Sequence, residues 1–230
     1  MNFSHDLMTY AVPVLTKGAL STLKLGLLIS VASLVFGVIL SFGLAAPNRV
    51  LRRLSRGLIA AMRGIPPLIL ILIAFYVLPD LGVMLSPIAA GCGALIVYFS
   101  AYVAVAVRGA LDAVPAGQIE AALSIGMTSR ARMLRVIVPL AWPILLPALC
   151  GLLIGLFKET ALLSIISVPE LTFETKQAVA RTYAPFEIYA MAALLYWAWS
   201  ALLETLSRKL EAIANRHKNP GTRRRQGASS

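Results

Sequence analysis

The sequence predicts an all-α integral membrane protein. It has five transmembrane helices and a short cytoplasmic helix, with the N-terminus outside and the C-terminus inside. Three observations carry this. Of the 230 residues, 59% are hydrophobic and 13% are charged. An average soluble domain is about 45–50% apolar and about 25% charged, so this surplus must face lipid. The apolar residues also fall into long runs without charge. Finally, the net charge of +11 is unevenly spread over the segments between those runs. The same composition excludes a disordered chain. Continuous runs exclude a membrane β-barrel, whose strands alternate over about ten residues.

A helix needs roughly 20 apolar residues to cross a bilayer core of about 30 Å. Leu25–Ala46 is free of charge and gives the first span, near 24–46. The second, near 60–79, is interrupted by Arg63 and by Pro66-Pro67. Leu81–Val107 is longer than one span needs and gives the third, near 84–107. Val136–Phe157 gives the fourth, near 136–157, and the apolar run around Ile188–Leu203 the fifth, near 186–206. They form a transmembrane domain over 20–212, between an outer segment 1–19 and a flexible basic tail 213–230.

Orientation follows from Lys and Arg in the connections. Sixteen of the 21 basic residues lie between spans 1 and 2, between spans 3 and 4, or after span 5. The cytoplasm therefore holds those segments, and an odd number of spans puts the N-terminus outside. The same charge suits anionic lipid headgroups, and no nucleic-acid partner is expected. His5 and His217 stand near opposite ends, and Cys92 and Cys150 sit in apolar runs without CxxC spacing. No metal site, catalytic residue or cofactor is expected in this chain.

The cytoplasmic segment from Arg108 to Arg135 is too long for a simple turn. Pro115 starts a helix, Gln118–Ile125 continues it, and Gly126 suits a left-handed end. Thr128 or Ser129 caps a second helix that runs into span 4. Ala121 and Ala122 then give the first helix a small, smooth, exposed face, with Glu120 as a single charge.

Glu120-Ala121-Ala122, followed by Gly126 and then by Val136-Ile137-Val138-Pro139, resembles the EAA signature of ABC-importer permeases. Val136 and Val138 stand where that pattern has other apolar residues. The resemblance implies a coupling helix that docks on a cytoplasmic ATPase through Glu120, Ala121, Ala122 and Gly126. Arg63-Gly64-Ile65-Pro66-Pro67 is similar to the Arg-Gly-Thr-Pro stretch of the polar amino acid (histidine/glutamine/arginine) permeases. Ala101-Tyr102 with Arg108-Gly109-Ala110, Lys158-Glu159-Thr160-Ala161-Leu162 and Pro169-Glu170-Leu171 resemble later stretches of the same group. Ile65 and Ala161 depart from it, replacing Thr and Ser. The similarity covers about residues 18–212.

Arg63, Gly64, Pro66, Pro67, Tyr102, Lys158, Glu159 and Thr160 are the candidates for the pathway or the substrate. Arg63 either snorkels to the interface or lines the pathway. The Gly-Pro-Pro break either starts a helix or frees backbone groups beside a cavity. The outer segment with Glu170, Glu174, Lys176 and Arg181 carries an amphipathic helix that lies on the membrane or plugs the dimer mouth. Gly151-x-x-x-Gly155 matches a helix-association spacing.

The expected function is a permease subunit of an ABC importer in the bacterial inner membrane, carrying a polar amino acid or a related compound. The chain has no GxxxxGK[ST] phosphate loop, so hydrolysis falls to a separate ATPase dimer. A second permease subunit, identical or different, and an extracytoplasmic solute-binding protein complete the system that the resemblance implies. The alternatives are a permease of the same architecture for methionine or phosphonate, or an ion-driven secondary transporter.

Overall fold

A computed structural model describes residues 7–215. His5, His217 and the basic tail beyond Asn215 lie outside the described residues. Among those described the chain is helical throughout, with no strand.

The first helix, α1 (Val12–Leu44), continues from a π turn at Leu7–Ala11. It begins well before the apolar run, because Lys17 and Lys24 ride on it rather than end it. Its N-terminal part is not separate from the membrane domain. Ala11, Leu15 and Ala19 pack with Leu171, Ala178 and Ile188 in one apolar cluster.

The expected second span is not one straight helix. Asn48 caps α2 (Arg49–Gly64) by accepting the Val50 N–H at 2.8 Å. Ile65 is then extended, at φ −102° and ψ 131°, as a residue before proline prefers. Pro66 cannot donate into a helical ladder. The chain bends by 104° between Arg49–Gly64 and Pro67–Leu81. The second limb is α3 (Pro67–Leu72), extended by a π turn at Ile73–Val77 and a 3-10 turn at Leu78–Leu81. At helical rise it reaches about 22 Å, short of a bilayer core of about 30 Å.

Among the described residues four helices are long and apolar enough to cross a membrane, or five with the bent pair taken as one span. The third span is α4 (Pro87–Asp112), capped by Ser86, whose Oγ accepts the Ala89 N–H at 3.2 Å. It runs through the centre of the fold against α1, and α2, α3 and the fourth span also pack on it. Its most apolar stretch is 56% buried within the chain, against 11% for the fourth and fifth spans. Those two therefore keep most of their surface for lipid or another subunit. A glycine allows the central contact. A Cβ on Gly37 would stand 2.5 Å from Val103 and 2.9 Å from the Ser100 carbonyl.

Two short helices lead into the fourth span: α5 (Ala116–Ser124) and α6 (Ser129–Arg132). A π turn at Met133–Ile137 absorbs the missing donor of Pro139 before α7 (Val138–Glu159). A 3-10 turn at Thr160–Ile166 leads to α8 (Leu171–Thr182), then Tyr183 in the left-handed region at φ 55°, then α9 (Pro185–Asn215). The last helix outruns the expected span and takes in the first residues of the expected tail. Ile29, Ile71, Leu95, Phe99, Leu156 and Leu163 form the largest core, joining α1, α3, α4, α7 and the 3-10 turn. Gly151 and Gly155 take no part in packing within the chain, because a Cβ on either meets no atom within 4 Å.

Candidate functional site

The expected pair of helices with a glycine joint forms at the end of α4 that carries Arg108. Pro115 precedes α5, and the Gln118 N–H donates to its carbonyl at 3.0 Å. The helix stops where Gly126 takes φ +76°, a left-handed conformation. Two bonds close the end, Gly126 N–H to Leu123 O at 2.9 Å and Met127 N–H to Ala122 O at 3.1 Å. This matches the Schellman arrangement that glycine favours. Thr128 caps α6 through the Ala131 N–H at 3.3 Å.

Glu120 and Ala121 are exposed on α5, as expected. Ala122 is not, being only 4% exposed. The face that carries Ala122 and Ile119 turns toward the chain, and Ile119 packs on the cluster of Ala110, Val114 and Ala141. The outward face instead shows Leu123, Ile125 and, beyond the joint, Leu134, all more than half exposed. A rigid nine-residue helix with an apolar rim and one carboxylate therefore projects from the bundle.

A second group forms around the break between α2 and α3. The Arg63 guanidinium lies 5.1 Å from the centre of the Tyr102 ring, a cation–π contact. The Tyr98 hydroxyl donates to Tyr102 Oη at 3.2 Å. The two tyrosine rings lie against each other with centroids 5.0 Å apart. The fold thus gathers Arg63 and Tyr102 with Tyr98, which sequence reasoning missed although it precedes Tyr102 by one helical turn. Glu159 ends α7, half-buried. Gly64 and Pro66 are exposed at the break, and Pro67 is half-buried. Lys158 points elsewhere, into a cavity of about 420 Å³ lined also by Ala161, Tyr196, Trp197 and Ser200. Thr160 is fully buried, and its hydroxyl donates to the Phe157 carbonyl at 2.7 Å. It faces the chain's own interior.

A third group surrounds Glu170, which is fully buried. Oε1 caps α8 by accepting the Phe173 N–H at 2.8 Å. Oε2 accepts the Tyr196 hydroxyl at 2.9 Å and the Thr22 hydroxyl at 3.4 Å. Thr22 Oγ1 in turn accepts the Leu171 N–H at 3.0 Å. Burial pushes the Glu170 carboxyl above its ordinary range, against the opposing pull of these donors. Nearby, Lys176 Nζ donates to Ser164 Oγ at 3.0 Å, and Arg181 lies 4.0 Å over the Tyr10 ring. The helix expected to lie on the membrane or plug the mouth is thus bolted to α1 and α9. No sequence signal marks Glu170 as a cap, because glutamate is not among the residues favoured at that position.

Residues 14–212 match the family described as the binding-protein-dependent transport system inner membrane component. The chain is 34% identical to the arginine ABC transporter permease of Haemophilus influenzae, over 84% of this chain and 90% of that one. It is 32% identical to the L-cystine transport system permease of Bacillus subtilis, over 89% and 88%. Among solved structures it resembles an amino acid ABC transporter crystallised with histidines, at 31% identity and a TM-score of 0.86, covering 92% of this chain and 98% of that one. An inward-facing methionine ABC transporter shares the fold at 20% identity and a TM-score of 0.73, covering 87% and 96%.

Proposed function

The chain belongs to the family of binding-protein-dependent transport inner membrane components, and on that footing we propose that it forms the pathway for a polar amino acid. As a family member it is a multi-pass bacterial inner membrane protein and a transport subunit, not itself an enzyme. The family works with an ATPase and a second permease subunit.

The observation that carries the reading is the projecting helix α5, ended by Gly126 at φ +76°. A short rigid helix with exposed Glu120 and Ala121 fits a cleft in the ATPase, and Leu123 and Ile125 supply apolar contact. Ala122 supports this contact from behind. ATP-driven closure of the ATPases moves α5, and the helical path through α6 and α7 carries that movement into the span. ATP binds the two states with different affinity, as any driven switch requires.

The excess of Lys and Arg at the α5 end supports a cytoplasmic location for it, with the N-terminus outside. A solute-binding protein then delivers the substrate from the other side. Arg63 with the tyrosine pair presents a cation and hydroxyl groups, and Glu159 supplies an anion. A zwitterionic amino acid carries the complementary set, and its carboxylate pairs with Arg63. Relatives with amino acids in their names favour this substrate class over methionine-type or phosphonate cargo, since the methionine transporter shares only the fold.

The test is uptake of labelled arginine, glutamine, histidine and cystine into proteoliposomes that contain the permease, its ATPase and its binding protein. Uptake that depends on ATP and on the ATPase supports the reading. Uptake driven by an ion gradient without any ATPase contradicts it.

A further inference from the structure

An apolar groove and a basic pocket lie in line along the same three helices. The groove, about 460 Å³, is walled by Phe36 and Leu40 of α1, Leu58 and Met62 of α2, and Ile96 and Val97 of α4. The pocket, about 430 Å³, is formed by Leu44 and Ala45 after them on α1, Arg52 and Arg56 on α2, and Arg108 with Asp112 on α4.

The order is the same on every wall. Each helix gives its apolar residues to the groove and, from about half a turn to three turns nearer the basic end, its charged or terminal residues to the pocket. On α4 the step from Val97 to Arg108 is about 16 Å of helix. The three guanidiniums face a single carboxylate. Arg108 holds Asp112 at two points, Nε to Oδ2 at 2.7 Å and Nη2 to Oδ1, which leaves Nη1 free, and Arg52 Nη1 donates to the Ala46 carbonyl at 2.8 Å. Arg56 is exposed and Arg52 half-buried, so guanidinium donors remain for an anion.

We propose that this composite site holds one anionic phospholipid, its headgroup phosphate on Arg52, Arg56 and Arg108 and an acyl chain in the groove. A polar amino acid finds almost no polar wall in the groove, since its one hydroxyl, on Ser100, is buried and bonded to the Ile96 carbonyl, and a free phosphate leaves it unfilled. Only an amphipathic anion matches both halves at once. Basic pockets between membrane helices take acidic headgroups for the same reason. The bent α2 brings the halves together. Lying at 104° to Pro67–Leu81, it aims Arg52 and Arg56 at the pocket while Leu58 and Met62 reach the groove. The site is independent of the transport reading, because it requires only a membrane.

The test uses the intact transporter, reconstituted in vesicles of equimolar phosphatidylglycerol and phosphatidylcholine and then extracted. Native mass spectrometry counts the lipids retained. Phosphatidylglycerol is retained about ten-fold over phosphatidylcholine, and the Arg52→Gln/Arg56→Gln pair removes that preference. Gly93 lines the groove and a Cβ there meets no atom within 4 Å, so Gly93→Leu is the variant chosen to fill it. It lowers retention of both lipids. Excess inorganic phosphate leaves the bound lipid in place. Equal retention of the two lipids overturns the proposal. So does displacement by inorganic phosphate, or undiminished retention in Gly93→Leu. A Gly93→Cys disulfide between two copies of the chain also overturns it, by showing that a second copy covers the groove.

Discussion

The Glu170 carboxylate accepts the Tyr196 hydroxyl at 2.9 Å and so ties the start of α8 to the middle of α9. The same carboxylate reaches Thr22 on α1, so one buried acid joins three helices. Glu170→Ala removes the cap and leaves the Phe173 N–H and the Tyr196 and Thr22 hydroxyls short of an acceptor. Each lost partner in a buried site costs about 1–3 kcal/mol. A loss of roughly 3 kcal/mol in stability is expected, read as a lower melting midpoint in detergent. A midpoint equal to that of the parent chain contradicts the structural role.

The raised carboxyl of Glu170 adds a pH dependence with a definite sign. A folded value above the unfolded one means that the folded state binds the proton more tightly. The stabilisation is fully present below the unfolded value of about 4.3 and is lost as pH rises through the raised folded value. Melting midpoints taken across that window fall for the parent chain. Glu170→Gln, which cannot ionise, shows a flatter profile.

Gly126→Val tests the joint after α5. A β-branched residue at φ +76° is strained by about 1–2 kcal/mol. Nothing lies within 4 Å of a Cβ there, so the strain is confined to the backbone. ATP-driven uptake is expected to fall several-fold while the melting midpoint falls by no more than about 2–8 °C. Gly126→Asn, which accepts the left-handed region, retains most of the uptake.

Gly37 and Gly151 make a matched pair. Gly37→Ala forces a Cβ to 2.5 Å from Val103 at the contact of α1 with α4. Overpacking of that kind costs about 1–3 kcal/mol. Gly151→Ala meets open space and leaves the isolated chain unaltered. Thermal unfolding of both variants, side by side, reads the difference.

Arg63→Gln removes the cation over Tyr102 but keeps the length of the chain. The half-saturating amino acid concentration is expected to rise at least ten-fold, with assembly intact on size exclusion. Unchanged uptake kinetics remove Arg63 from the pathway.

Much of this architecture is legible in the residues. Long uncharged runs mark the spans, and the Gly126 joint follows from local propensity alone. The helix starts are less legible. Lys17 and Lys24 look like the end of a span, yet α1 runs on past both because Ala11, Leu15 and Ala19 have α8 to pack against. The break at Pro66 is visible in the sequence, but the 104° bend is not, since proline fixes where a ladder stops and tertiary contacts fix where the chain goes next. Among the site residues, Arg63 and Tyr102 lie far apart in sequence, and their meeting depends on that bend. Ala122 and Thr160 turn inward onto the chain, which composition does not encode, because the facing of a helix is set by the partners it packs against. Glu170 is hidden for the opposite reason, because a carboxylate in a polar segment looks solvated until three helices close over it.

The central claim is that α5 joins this permease to its ATPase, and disulfide mapping tests it most directly. Ala121→Cys, in a chain whose Cys92 and Cys150 are replaced by alanine, is oxidised in the reconstituted transporter against single cysteines in the ATPase cleft. Leu81→Cys, which is 73% exposed and sits beyond the other end of the 26-residue α4, is the control. The expected result is a cross-link from position 121 alone that arrests uptake and releases it on reduction. A cross-link absent at 121, or formed equally from 81, contradicts the claim.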